Sequence, residues 1–194
     1  SGDPLYKRGY RTKIHRAALN PCMAAALIRI SKWNDKIPFY DPMCGSGTIP
    51  IEAAMLAYSI PPRYKRNSYA FKGWSSFDDN LFESCKKESI NKINYENNVR
   101  IYASDNTENN LELVKNSLKI LNLTEKIKIE VKDIVEFNPD TEKGVVITNP
   151  PHGHRMSREV ALKRLYRNLG DVLKNKCKNF DAYIFSINPF SSIK

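Results

Sequence analysis

Five short runs of β-branched and aromatic residues alternate with helical patterns from residue 37 onward, and this alternation restricts the fold more than anything else in the chain. The runs are "IPFYD" (37–41), "VRIYASD" (99–105), "KIKIEVKD" (126–133), "GVVITN" (144–149) and "DAYIFSI" (181–187). "GVVITN" is apolar without a break, as expected of a strand buried on both faces of a parallel sheet. Helices are expected over 48–58, 81–96, 106–123 and 158–176. A further one over 22–32 would start at Asn20-Pro21, with Asn as N-cap and Pro in the first helical position. Strand–helix–strand connections of this kind give a mostly parallel α/β sheet with helices on both faces. A chain of 194 residues supports one sizeable core. Residues 1–36 read as a basic hairpin and helix joined to a Rossmann-like core over 37–194, with an insertion at about 59–97.

No apolar run approaches the roughly 18 residues that a membrane helix needs, and there is no signal-peptide pattern. Cys22, Cys44, Cys85 and Cys177 are scattered and form no CxxC pair. That spacing argues against zinc, redox and disulfide frameworks and suits a reducing compartment, so a cytoplasmic location is expected. The net charge of +10 suggests a polyanionic partner, most often nucleic acid. A generally lysine-rich composition would give the same figure.

The carboxyl ends of the runs carry polar residues, and in open parallel sheets ligands bind there. "DPMCGSGT" (41–48) links the first run to a helix. Gly45 and Gly47 allow close backbone approach, and the helix start offers free N–H groups. No GK[ST] and no GxGxxG is present, so neither a P-loop nor the usual dinucleotide fingerprint is in play. An acidic residue, Asp41, before the glycine turn suits a ligand with an amino group. S-adenosylmethionine, with its ammonium, carboxylate and sulfonium, meets that description. A plain tight turn is the alternative. Asp105, with Asn106 beside it, ends the second run and is placed to accept both hydroxyls of a ribose, or to start the next helix. Asp133 ends the third, where it would accept from an adenine amino group or sit in a solvated turn. Three acids in sequence on one sheet edge favour the ligand reading.

Asn149-Pro150-Pro151-His152 stops the fourth run. The Asn149 side-chain oxygen and the Pro150 carbonyl are two acceptors in fixed geometry, able to grip both hydrogens of an exocyclic amino group and to aim its lone pair at a methyl donor. A rigid turn is the alternative. His152 occupies the position where a flat side chain would stack on a base. His152 and His154 lack a Cys or acidic partner, so a metal site is not expected. Two stretches mix charge and rings: the strip 6–16, the better candidate for RNA contact, and the loop 61–74, whose Phe71 and Trp74 are expected to pack on the domain.

Taken in order, "SGDPLYKRGYR", "DPMCGSGTIPIEAAM", "SDN", "VKDI" and "TNPPHG" resemble the THUMP-associated guanine-N2 RNA methyltransferases, relatives of a bacterial 23S rRNA enzyme and of tRNA enzymes, formerly described as N6-adenine methylases. The resemblance covers nearly the whole chain. It implies a class I Rossmann-like methyltransferase fold with S-adenosylmethionine as donor. Asp41, Pro42, Cys44, Gly45, Ser46, Gly47 and Thr48 would line the methionine part, Asp105 and Asn106 the ribose, Asp133 and Ile134 the adenine. Asn149, Pro150, Pro151 and His152 would form the base pocket. Lys7, Arg8, Arg11 and Arg155 are the candidate RNA contacts. The implied substrate is guanine N2 in rRNA or tRNA, with adenine N6, or a non-catalytic RNA- or cofactor-binding module, as alternatives. The family usually has Tyr or Phe where this chain has His152, and Glu-Arg where it has His154-Arg155. The resemblance also implies that the chain is the catalytic part of a longer protein carrying a THUMP domain.

Overall fold

The computed structural model describes Pro4 and residues 6–11, 18–66, 68–151 and 156–186. Its elements run α1 (Pro21–Ile30), β1 (Phe39–Asp41), α2 (Thr48–Ala57), α3 (Asp79–Asn91), β2 (Ile101–Asp105), α4 (Glu108–Leu121), β3 (Lys128–Val131), β4 (Gly144–Thr148), α5 (Met156–Lys176) and β5 (Phe180–Ile184). All the strands are parallel, in the order β3-β2-β1-β4-β5. The chain therefore builds outward from β1 on one side, then crosses to build outward on the other. The carboxyl ends of β1 and β4 meet at that reversal, where open α/β sheets bind ligands.

Side-chain alternation assigns the two faces. Phe39, Val145 and Ile147 join the core under α1, α2 and α4. Tyr40 and Val146 point the other way, into a smaller core with Leu169 and Val172 of α5. Helices thus cover both faces, and β4 is buried along its whole length. The start of α1 is as expected: Asn20 Oδ1 accepts from the Cys22 N–H at 2.8 Å, and Pro21 occupies the first turn.

Several elements differ from their sequence patterns. β3 stops at Val131, two residues before Asp133: the Lys132 N–H still bonds to the Asp105 carbonyl of β2 (3.0 Å), and Asp133 then caps a short 3-10 turn. In α3 no residue is buried: Cys85 is exposed, and Phe82 packs only among the rings of the insertion. Ala161 of α5, expected inward, is exposed. Phe71 sits among Tyr69, Trp74, Phe77 and Phe82 in a ring cluster apart from both main cores, and Trp74 is 69% exposed. Trp74 therefore does not pack down on the domain.

The described part of the basic strip is tied to the domain through its arginines. Gly9, at φ +87°, bends the chain so that Arg8 and Tyr10 face inward. Arg8 forms a two-pronged ion pair with the buried Glu52 of α2 (3.1 and 3.2 Å), and the Tyr10 hydroxyl donates to the same carboxylate (3.0 Å). Arg11 donates to the Leu19 carbonyl (2.9 Å) and to the Thr48 hydroxyl. Arg8 and Arg11 thus fasten the N-terminal segment to the domain. Lys7 is exposed. Among the described residues, no helix is long and apolar enough to cross a membrane.

Candidate cofactor and base site

A cavity of about 720 Å³ opens at the carboxyl ends of β1, β2, β3 and β4. It falls within the size range of small-molecule and cofactor sites. The candidates that line it are Asp41, Pro42, Cys44, Gly45, Ser46 and Thr48 from the first loop, Asp105 and Asn106 after β2, Asp133 and Ile134 after β3, and Asn149, Pro150 and Pro151 after β4. Residues distant in sequence are brought together because the parallel sheet aligns every strand end on one edge.

The first loop holds its shape through both glycines. Gly45 and Gly47 have φ of +54° and +78°, conformations that cost other residues about 1 kcal/mol or more. Their roles differ. Gly45 is at the cavity wall, and its N–H donates to Asp105 Oδ2 at 2.9 Å. Gly47 is not: a Cβ there would meet the Val114 methyls of α4 at 2.8 and 2.9 Å. The second glycine serves helix packing, which corrects its placement among the ligand contacts.

Asp41 is 1% exposed at the end of β1. Burial, reinforced by the nearby Asp105 charge, pushes its carboxyl up to about 7, although donation from the Thr148 hydroxyl (2.8 Å) and the Met43 N–H (3.3 Å) opposes the shift. A carboxylate held this close to neutrality responds strongly to a cation brought beside it. Burial also pushes the Cys44 thiol up, with Asp41 and Asp105 adding to the shift, so it stays protonated and unreactive.

Asp105 accepts from Gly45 N–H on one oxygen, and from Thr107 N–H (3.0 Å) and the Asn110 side chain (2.9 Å) on the other. A carboxylate offers about four acceptor positions. Three are filled, which narrows the sequence reading from two ribose hydroxyls to one. The ligand and helix-start alternatives are not exclusive: Thr107 is the N-cap of α4, and Asp105 braces that first turn through Thr107 and Asn110 while lining the cavity. Asp133 is likewise double-purpose. It accepts from Val135 N–H (3.1 Å), and Glu136 closes the reciprocal bond to its own N–H (3.0 Å).

Met43, Asn110, Lys132, Leu165 and Phe185 also line the cavity without a sequence signal strong enough to select them. Asn110 lies in the first turn of α4, not in the loop that directly follows a strand. Phe185 follows β5, with its N–H on the Thr148 carbonyl (2.9 Å). His152 and Arg155 lie outside the described residues.

The chain matches the RMKL-like methyltransferase domain family (UPF0020) over residues 8–190. It belongs to that family. Solved structures agree. SMU.472, a methyltransferase by prediction complexed with SAH, is 32% identical with a TM-score of 0.88 over 96% of this chain and 48% of its own. A predicted N6-adenine-specific DNA methylase from Listeria monocytogenes is 33% identical, with a TM-score of 0.89 over 98% and 50%. A possible methylase from Clostridium difficile is 35% identical, with a TM-score of 0.87 over 94% and 48%. This chain therefore spans about half the length of these relatives. The RMKL-like domain is that of an S-adenosylmethionine-dependent methyltransferase with a Rossmann-like α/β fold. The cavity fits that cofactor in size and in the number of acceptors on its rim.

Proposed function

We propose that the domain methylates an exocyclic amino group of a nucleic-acid base, with guanine N2 of structured RNA as the first substrate. The observation that carries this reading is the meeting, in one cavity, of the acidic ends of β1 and β2 and of Asp133 just past β3 with Asn149-Pro150-Pro151 after β4. S-adenosylmethionine supplies an electrophilic methyl group on a sulfonium sulfur. Asp41 is assigned to its ammonium, Asp105 with Asn106 to the ribose, and Asp133 with Ile134 to the adenine. Pro42, Cys44, Gly45, Ser46 and Thr48 would line the methionine part.

Asn149 and the Pro150 carbonyl would accept the two amino hydrogens and fix the nitrogen lone pair on the line of attack. No strong base is required, because the nitrogen releases its proton to solvent after the methyl is attached. Pro150 is buried and Pro151 exposed, so the acceptor pair is stiffened from within while its outer edge faces a substrate. Phe185 stands over β5, beside Asn149 and on the far side from β2 and β3, where a splayed base would arrive. It is a second stacking surface besides His152.

RNA is preferred for the +10 charge together with the THUMP-associated resemblance, which also implies an upstream THUMP domain. Adenine N6 is kept as the second reading because the Listeria relative is described as an N6-adenine DNA methylase and the same acceptor pair fits either amine. The test is incubation of the full-length protein with methyl-labelled S-adenosylmethionine and either total RNA or DNA, followed by nucleoside analysis. Labelled N2-methylguanosine that vanishes in Asn149→Ala is expected. Label in N6-methyladenine selects the second reading. No transfer by a protein that binds the cofactor overturns both.

A further inference from the structure

β4 reads Gly-Val-Val-Ile-Thr, and its last residue is the exception in an otherwise apolar strand. Thr148 is 0% exposed. A hydroxyl buried there destabilises the fold unless it is hydrogen-bonded, and valine would fill the same volume without that cost. The Thr148 hydroxyl donates to Asp41 Oδ1 at 2.8 Å, across the boundary where the strand order reverses. Its carbonyl accepts from Phe185 N–H, and its peptide bond leads into Asn149. One residue thus touches the β1 carboxylate, the chain after β5 and the residue assigned to the substrate amine.

We propose that Thr148 is a positioning residue whose hydroxyl orients the Asp41 carboxylate toward the cofactor ammonium and ties the cofactor half of the site to the amine-gripping half. The proposal rests on the assignment of Asp41 to the ammonium. Asp41 has a crowded setting. Asp105 approaches from β2, while the Cys44 thiol and the Met43 N–H face it from its own loop. A second, smaller cavity against Asp41 brings in Lys128, Glu130, Lys132 and Asp140 with the Tyr40 and Tyr102 side chains. Among the groups around Asp41, the Thr148 hydroxyl does most to favour the ionised form. Removing that hydroxyl shifts Asp41 further toward its neutral form, which has no charge to offer an ammonium.

The test is calorimetric binding of S-adenosylhomocysteine to the full-length protein between about pH 5 and 8, which requires no nucleic acid. Wild type should bind more weakly below a midpoint near 7, where Asp41 takes up a proton. Thr148→Val should bind about tenfold more weakly at neutral pH, with the midpoint raised by about one pH unit. Thr148→Ser, which restores the hydroxyl, should return the wild-type curve. In an Asp41→Asn background, Thr148→Val should change nothing. Thr148→Cys, similar in volume but a weak donor, is measured alongside and should show the same weakening and raised midpoint, so the test stands even where the valine variant does not fold. A Thr148→Val curve that overlays wild type overturns the proposal. So does an equal loss at every pH that Thr148→Ser fails to restore. A wild-type curve with no acid limb would instead overturn the assignment of Asp41, and failure to methylate RNA would bear only on the substrate.

Discussion

The two halves of the site are stiffened in different ways. In the cofactor half, each acidic group is held by hydrogen bonds from the surrounding chain: Asp41 by Thr148 and Met43, Asp105 by Gly45, Thr107 and Asn110, Asp133 by Val135. In the base half, two consecutive proline rings restrict the backbone covalently. The first arrangement is adjustable, since a proton or a bound cation redistributes its bonds. The second does not depend on pH. Cofactor capture should therefore be sensitive to protonation, and the alignment of the amine should not.

The largest effect expected from breaking this contrast is in the base half. Asn149→Ala should lower methyl transfer by about a hundredfold or more while leaving S-adenosylhomocysteine affinity within about twofold, as measured by single-turnover kinetics beside calorimetry. A parallel loss of cofactor affinity would show that the halves are not separable. In the cofactor half, Asp41→Asn should weaken cofactor binding about tenfold or more.

The same substitution should change stability in the opposite direction. The Asp41 carboxyl is raised in the folded chain from an ordinary 3.8 to about 7. The folded state therefore holds a proton that the unfolded chain has already released. The associated stability is present below about pH 4 and is lost as the pH rises through 7, a decline of about 4 kcal/mol for the cofactor-free protein. Asp41→Asn should remove that part of the decline, and urea unfolding at about pH 5 and 8 checks the sign.

Gly47→Ala tests the loop beneath both halves. The left-handed backbone and the Val114 contact should together cost about 2 kcal/mol in a thermal melt. Trp74→Ala, in the ring cluster that belongs to neither half, should change stability by less than about 0.5 kcal/mol. A larger loss would show that the cluster is tied to the core.

Legibility followed the kind of signal. The cavity edge was readable because Asp41, Asp105, Asp133 and Asn149 each end or closely follow a strand-like run, and a parallel sheet has only one edge on which to bring them together. The inward bonds of Arg8 and Arg11 were not legible, because an arginine bound for a buried glutamate and one bound for a phosphate have the same local sequence. Nothing near Arg8 names Glu52, which is 44 residues away. The exposure of Cys85 and the separate ring cluster around Phe82 were not legible, because helical spacing reports that one face is apolar, not what covers it. Asn110 and Phe185 gave no signal, one lying inside a helix and the other past the end of a strand.

The sequence by itself determined the parallel α/β architecture, the loop at 41–48 and the Asn-Pro-Pro stop after β4, since each depends on neighbours a few residues apart. Tertiary structure alone decided which glycine faces the cavity, how many acceptors Asp105 keeps, that Arg8 and Arg11 turn inward, and that Thr148 meets Asp41. Those outcomes depend on which strands become neighbours. Thr148 and Asp41 stand 107 residues apart in the chain and 2.8 Å apart in the fold because β4 crosses over to pair with β1.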